Sequence, residues 1–433
     1  MSTAKVAIIG FGTVGSGVAR LLLEQNERIS RHAGRRVELV AIVDPDTTRH
    51  RNVPLPAGLL TSDLNRVLND PEIEAVVQLI GGLEPDRTIM LKVLESGKNV
   101  VTANKALLAA HGPELFDRAR QLGRTIAFEA AVAGGIPIIA AINESLTANQ
   151  IQSIHAILNG TSNFILTQME GLGTSYQDSV AEAQRRGYAE ANPAMDVDGS
   201  DAAQKLAILA HLAFGARLDW RDIPRTGIDT VQVADIRFAK EFGYSIKLLA
   251  VAELVPEGLE LHVSPTLVRH GSPLAEVREA YNAIRVVGDA VGRVFFHGLG
   301  AGQTPTASAV TADLISTLLG RTAITFRTLD LWSSRRPELA AARDPAKIPG
   351  RFYLRFNVED RPGVMSEITG VLGRRGISIA SVIQHEPDEE NGAVVPLVIM
   401  THRTHEGCMS QAMEEINQLA SVKAGSVRMR VRN

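Results

Sequence analysis

Glu190, Asp201 and Lys205 lie within RGYAEANPAMDVDGSDAAQKLAILA, residues 186–210, spread over an Asn-Pro turn, an acidic loop and the opening of an apolar helix. A helix that begins near Ser200 puts Asp201 and Lys205 on one face and turns Leu206, Leu209 and Ala210 toward a core. Taken alone, an Asp-to-Lys pair at this spacing is ordinarily a surface salt bridge contributing about a few tenths of a kcal/mol. Its company argues for chemistry. A second lysine, Lys105, sits in VTANKALLA, a polar NGTSN turn (Asn159 to Asn163) follows an apolar strand, and a glycine fingerprint opens the chain. Burial beside apolar surface, or a second amine in the same pocket, disfavours an ammonium ion, and such a lysine can shuttle a proton near neutral pH.

The fingerprint is Gly10-Phe11-Gly12-Thr13-Val14-Gly15, which ends a strand and opens a helix, the setting a dinucleotide-binding turn requires. Gly10 is expected to make the tight turn, Gly12 to let backbone approach a pyrophosphate, and Gly15 to let helix and strand pack closely. The helix N-terminus adds N–H groups and a positive dipole end. Asp44, closing AIVD, is placed to hydrogen-bond the ribose 2′-hydroxyl of NAD, or to start an Asx turn before Pro45. It lies farther from Gly15 than the usual spacing of roughly 20 residues, because RHAGRR lengthens the connection. Arg49 and Arg51 each offer a fork for a 2′-phosphate, so NADP fits as well. Lys105 follows an apolar strand, at the end where ligands of open α/β sheets collect.

The elements that position these residues are legible as alternation. KVAIIG, a helix from about Val14 to Arg31, RVELVAIVD, a helix near Asp63 to Leu68, AVVQLIGG, a helix near Asp86 to Glu95, and KNVVTAN predict right-handed crossovers and a parallel, doubly wound sheet. The fold class is thus α/β followed by α+β. Residues 1–140 read as a Rossmann-like dinucleotide domain and 141–330 as a mixed-sheet substrate and oligomerisation domain. Strand candidates in the latter are Ile151 to Leu158, Ile246 to Leu254, Leu259 to Leu267, Ala283 to Val287 and Arg293 to His297, with a helix from about Thr306 to Leu319. Residues 331–350, with WSSRRPELAAARDPAKIPG, read as a linker. In 351–433 the order strand, helix, strand, strand, helix, strand predicts a ferredoxin-like βαββαβ tail.

A chain of 433 residues calls for two or three cores, and 45% hydrophobic with 21% charged residues is ordinary globular composition. The net charge of −3 with scattered Lys and Arg argues against nucleic acid or a membrane surface as partner. A single cysteine, Cys408, forms no intrachain disulfide, and no CxxC or HExxH spacing marks a zinc site. With neither a signal-peptide core nor an 18-residue apolar span, the expectation is a soluble cytoplasmic protein.

The fingerprint, IGGLEPDR (Ile80 to Arg87), VTANKALLA, FEAAVAGGIP (Phe128 to Pro137), NGTSNFIL (Asn159 to Leu166), GYAEANPAMDVDGSDAAQK and GLGAGQTPTASAV (Gly298 to Val310) resemble, in order, the homoserine dehydrogenase family. The tail, with DRPGV (Asp360 to Val364) turning into its first helix, resembles an ACT domain, as in the threonine-regulated bacterial form. The resemblance implies NAD(P)-dependent interconversion of L-aspartate 4-semialdehyde and L-homoserine. It implies Lys205 as proton donor, Lys105 against substrate or nicotinamide, Glu190 and Asp201 on the amino-acid substrate, and Gly302 among the cofactor contacts. It also implies a monovalent-cation loop, with sodium held by Glu129 (side chain or backbone) and the carbonyls of Val132, Gly134 and Ile136; oxygen-only ligation suits such a hard cation.

One departure concerns the cofactor. Many relatives carry an arginine just before the acid that ends the second strand, whereas this chain has Val43-Asp44-Pro45. NAD is therefore expected to serve at least comparably with NADP, unless Arg49 or Arg51 substitutes. The tail implies a homodimer or homotetramer and a threonine site at Asn357 to Val364 and Ser378 to Gln384, whose removal by truncation after Lys347 should abolish inhibition. Two rival readings exist. A phosphorylating semialdehyde dehydrogenase needs a cysteine nucleophile, and Cys408 lies far from the fingerprint. A non-catalytic nucleotide and amino-acid sensor has no use for Glu190, Asp201 and Lys205 together.

Overall fold

The computed structural model describes residues 2–333, 340–385 and 394–432. They form two compact units, the first comprising the described residues within 1–152, 204–222 and 282–340, the second those within 153–203, 223–281 and 341–433. The stretch 141–330, expected as one block, contributes to both.

The first unit holds a parallel sheet of β1 (Thr3–Ile9), β2 (Arg36–Val43), β3 (Leu60–Thr61), β4 (Ile73–Gln78), β5 (Asn99–Thr102) and β6 (Ile126–Ala127), in the order β3-β2-β1-β4-β5-β6. Apolar, valine-rich stretches such as AVV and NVVT suit strands covered on both faces. The strand order reverses between β1 and β4, where dinucleotides bind in such sheets, and the glycine turn leaves β1 there.

The helix expected from Val14 to Arg31 is two helices, Thr13–Glu24 and Asn26–Ala33. Gln25, at φ −113° and ψ 21°, ends the one and opens the other. The helix Gln303–Leu318, read from the sequence as part of the substrate domain, packs on this sheet instead. Its Ala307, Ala309, Val310 and Leu314 share a core with Val6, Ile8, Val18 and Leu22. The segment 331–350 does not begin as a solvated tether. Leu331 and Trp332 are buried, the Trp332 N–H donates to His211 Nε2 at 2.7 Å, and the indole stacks on that imidazole at 4.5 Å. Such aromatic contacts outweigh the Pro- and Arg-rich composition that suggested a linker. The rest of that reading falls partly on residues outside the described ones.

In the second unit the strands run Ile151–Ile157, Tyr244–Val255, Gly258–Arg269, Val422–Arg432, Pro349–Glu359, Val394–Thr401 and Ile379–Gln384 across one sheet. The last four give the tail its expected split-βαβ order, with helices Val364–Arg374 and Glu406–Asn417 covering a core of Phe352, Leu354, Phe356, Ile368, Leu397 and Ile416. At one edge the tail sheet is already paired. Arg430, Val431 and Arg432 lie in parallel register with Thr266, Leu267 and Val268.

Candidate active site

The helix Ser200–Phe214 starts where the sequence predicted, with the Ser200 N–H held by the Asp198 carboxylate at 2.7 Å. Asp201 is 7% exposed and Lys205 9% exposed, so the pair is no surface salt bridge. Leu206, Leu209 and Ala210 are fully buried beside them.

Asp201 is fixed by a neighbour that the sequence reading treated only as part of a turn. Asn159 Nδ2 donates to Asp201 Oδ2 at 2.9 Å and to Asp196 Oδ1 at 2.8 Å, while its Oδ1 accepts the Ser162 N–H at 2.7 Å. Asn159 is therefore both the N-cap of the helix Gly160–Leu172 and the bridge between two carboxylates. Asn at the end of a strand, before a helical run, was the available signal for the cap. Nothing in the spacing announced the bridge. Glu190 stands differently: it is exposed, and its backbone carbonyl, shared with that of Ala191, accepts from the Gln184 amide.

Lys105 is half-buried and is the first residue of the helix Lys105–Gln121. Asn104 caps that helix through its Oδ1, which accepts the Leu107 N–H at 3.1 Å. The Asn104 amide in turn donates to the Gly82 carbonyl at 2.6 Å and to the Asp86 carboxylate. Asp86 is fully buried against Gln78, and burial pushes its carboxyl above the ordinary value. Asp86 and Gln78, both unflagged by the sequence reading, thus set the point from which Lys105 projects. Farther along, Ala109, Ala110 and Pro113 of this helix line a cavity of about 320 Å³ together with Ala207, Ile208, His211 and Trp332.

The glycine turn has the expected form. Gly10 adopts φ +97°, and a Cβ there would stand 2.6 Å from the Leu79 carbonyl; a Cβ on Gly15 would meet Gly10 O at 2.0 Å. A Cβ on Gly12 would meet nothing within 4 Å, so the backbone at the N-cap of Thr13–Glu24 borders open space suited to a phosphate. Gln303, which follows Gly302, donates through Nε2 to Thr13 O and to Ser16 Oγ, both at 3.0 Å, and so braces the turn. No local pattern marks a contact that spans the chain in this way.

Asp44 is engaged on both oxygens. Oδ2 accepts the Phe11 N–H at 2.6 Å, and Oδ1 accepts the Asp46 N–H and Arg51 Nη2, each at 2.9 Å. The Arg51 guanidinium also lies over the Phe11 ring, 5.1 Å from its centre.

In FEAAVAGGIP, Glu129, Val132, Gly134 and Ile136 are buried. Both Glu129 carboxylate oxygens accept backbone N–H groups, of Ile139 and Ala140, each at 2.8 Å. Burial nevertheless pushes its carboxyl up to about 7. The Glu129 N–H donates to Asp313 Oδ2 at 2.7 Å, and burial, then the neighbouring Glu129, hold Asp313 well above its ordinary value. Among the described residues no group of three or more His, Cys, Asp or Glu is set to hold a metal ion. Cys408 lies on the tail helix Glu406–Asn417.

Comparison with known proteins accords with this geometry. The homoserine dehydrogenase family matches residues 137–315, the homoserine dehydrogenase NAD-binding domain residues 10–129, and the ACT domain residues 352–421. A homoserine dehydrogenase of Pseudomonas aeruginosa is 43% identical, the match covering 100% of this chain and 99% of the relative. The solved homoserine dehydrogenase of Thiobacillus denitrificans superposes with a TM-score of 0.91 at 40% identity, over 100% of this chain and 99% of that one. A hyperthermophilic archaeal homoserine dehydrogenase solved in complex with NADPH covers 72% of this chain and 97% of its own, with a TM-score of 0.60 and 26% identity. The chain belongs to the homoserine dehydrogenase family.

Proposed function

We propose that Lys205 is the acid–base group of the homoserine dehydrogenase reaction, the NAD(P)-dependent interconversion of L-aspartate 4-semialdehyde and L-homoserine, in this chain. The observation that carries this reading is a lysine 9% exposed, one helical turn beyond an Asp201 that is itself 7% exposed and fixed by Asn159. A bound nicotinamide supplies the hydride that reaches the aldehyde carbon. Lys205 Nζ gives a proton to the carbonyl oxygen as that carbon is reduced, and takes it back in the reverse direction. Asp201, with Glu190, holds the substrate ammonium; Lys105 steadies its carboxylate or the developing alkoxide and borders the cofactor. Gly10, Phe11, Gly12, Thr13, Val14, Gly15, Asp44 and Gly302 form the cofactor's bed, within a nucleotide segment 1–140, a substrate segment 141–330 and a regulatory segment 351–433.

Lys205→Ala should lower kcat by about 10²- to 10⁴-fold while NADPH still quenches protein fluorescence with unchanged affinity. Turnover within threefold of the parent protein would remove Lys205 from the mechanism.

A monovalent cation such as sodium fits the buried loop, whose donors are all oxygens. Glu129 contributes its side chain or its carbonyl, beside the carbonyls of Val132, Gly134 and Ile136. Exchanging sodium chloride for choline chloride at equal ionic strength should lower the melting temperature, and identical melting curves in the two salts would remove the ion. The enzyme acts in the cytoplasm as a homodimer or homotetramer with threonine as effector at the tail. A monomer mass by light scattering, or recovery in an exported fraction, would overturn the respective assignments.

A further inference from the structure

A second cavity lies in the second unit, the unit that also carries Glu190 and Asp201, and none of its lining residues is assigned to catalysis. The strand Gly258–Arg269 from the body of that unit meets the tail strands Pro349–Glu359 and Val422–Arg432 and the tail helix Glu406–Asn417 around a cavity of about 290 Å³. Its charged lining is Arg225, Arg428 and Arg430 against Glu406 alone, an excess of two positive charges. Glu406 braces two of the arginines, Arg428 Nη1 at 2.8 Å from its Oε1 and Arg430 Nη2 in contact with its Oε2. Arg428 Nη1 also reaches Ser410 Oγ at 2.9 Å, and the Arg430 guanidinium lies over the Phe352 ring, 5.5 Å from its centre. A guanidinium has five N–H donors in a rigid fork, so bracing through one terminal nitrogen leaves a pre-aimed face for oxygen acceptors.

His262 gives the independent observation. The ring is 3% exposed and lines the same cavity; Nδ1 is paired with Ser264 Oγ at 3.1 Å, and Nε2 is buried with no hydrogen-bond partner among the described residues. An unmade hydrogen bond of this kind costs about 1–3 kcal/mol and calls for an explanation. Burial, then the nearby Arg430 and Arg432, hold His262 well below its ordinary value, so the ring is neutral. Where the Ser264 hydroxyl donates to Nδ1, the ring proton sits on Nε2, a buried donor in want of an acceptor at the cavity wall. Burial also pulls Arg430 down, with Glu406 and Glu260 opposing that and Arg432 and Arg428 adding to it.

We propose that this cavity binds a small dianion, a short dicarboxylate or a phosphate monoester, with its oxygens on Arg428 and Arg430 and one accepting from His262 Nε2. None of the lining residues belongs to the 357–364 turn or the 378–384 strand assigned to threonine. Such a ligand joins the tail to the strand Gly258–Arg269 within one unit, and its binding must add to the stability of that seam.

The test uses the full-length protein at constant ionic strength, with inorganic phosphate and succinate as probes and chloride as control, read by melting temperature and titration calorimetry. The expected result is a saturable rise in melting temperature with at least one probe. Its Kd should weaken at least tenfold in both Arg428→Gln and His262→Leu, with circular dichroism confirming that the variants are folded. Saturation by phosphate alone assigns the phosphate ester; saturation by succinate alone assigns the dicarboxylate. No saturable response beyond chloride, or the same dependence in the parent and both folded variants, overturns the site. Neither readout depends on turnover, so the outcome is separate from that of the Lys205 assignment.

Discussion

At the scale of single residues the cofactor question turns on Asp44 and Arg51. A free carboxylate at the end of β2 would grip a ribose diol and repel a 2′-phosphate. Here Arg51, with its side chain 8% exposed, neutralises Asp44, 13% exposed, at 2.9 Å, and keeps further donors for a phosphate. The protein should therefore accept both cofactors, and Arg51→Ala should move the NADH-to-NADPH ratio of kcat/KM at least tenfold toward NADH, about 1.4 kcal/mol. A parent enzyme preferring NADPH by a hundredfold, or a variant with an unchanged ratio, would sink this reading. The sequence placed Asp44 and Arg51 as rivals for one task. Their pairing was out of reach because it depends on how residues 45–51 double back, which no periodicity encodes. Lys205 was legible because burial of one helix face follows from apolar spacing alone. The carboxylate bridge of Asn159 and the roles of Asp86 and Gln303 were not, since each acts on a partner brought near only by the fold.

Elements show the same division. The parallel sheet and the split-βαβ tail were readable from alternation, whereas the placement of Gln303–Leu318 was not. Its Ala- and Thr-rich surface states that it is buried without stating against what, and the close approach of Gly17, whose Cβ would stand 2.9 Å from Gln303 Cγ, is what seats it. A similar junction closes the second unit. At the C-terminal end of the strand Val422–Arg432, Arg432 Nη1 reaches Glu253 Oε2 at 3.0 Å and His155 Nε2 at 2.8 Å, tying the tail to strands Tyr244–Val255 and Ile151–Ile157. His155, then Arg432, hold the Glu253 carboxyl down at about 2, against an ordinary 4.5. A depressed folded-state value means that the unfolded chain binds the proton first as pH falls. Glu253 therefore stabilises the fold fully above pH 4.5, and that contribution is lost as pH falls through about 2. The carboxylate is 37% exposed, so solvent screening keeps the effect small. Urea midpoints measured from pH 7 to pH 2.5 should show the gap between the parent protein and Glu253→Gln closing with acid. A gap that stays constant over that range would separate Glu253 from the acid limb.

For the whole molecule, the decisive feature is that the regulatory tail is built into the second unit rather than tethered to it. The sequence predicts that truncation after Lys347 abolishes threonine inhibition, an experiment that is informative only if the tail can be removed without unfolding the rest. Arg355, 1% exposed, pairs with Asp235, 0% exposed, through Nε at 2.6 Å, and Tyr353 donates to the same carboxylate at 2.9 Å. Removing one member of a buried pair leaves an uncompensated charge, at a cost of about 3–5 kcal/mol. Truncation would also strip Val422–Arg432 from Gly258–Arg269, opening an apolar strand edge of the kind that drives aggregation. The truncated chain should therefore be insoluble, or melt well below the full protein, and a soluble, fully active fragment would show that the seam contributes little. Threonine regulation is then tested in the full chain. Asp360→Ala, in an exposed turn, leaves Arg355, Tyr353 and the shared sheet untouched. If threonine occupies the turn 357–364, that variant should need at least tenfold more threonine for half-inhibition at an unchanged uninhibited rate. Equal inhibition of parent and variant would move the effector elsewhere, and no inhibition of the parent enzyme would leave the tail with a purely architectural role.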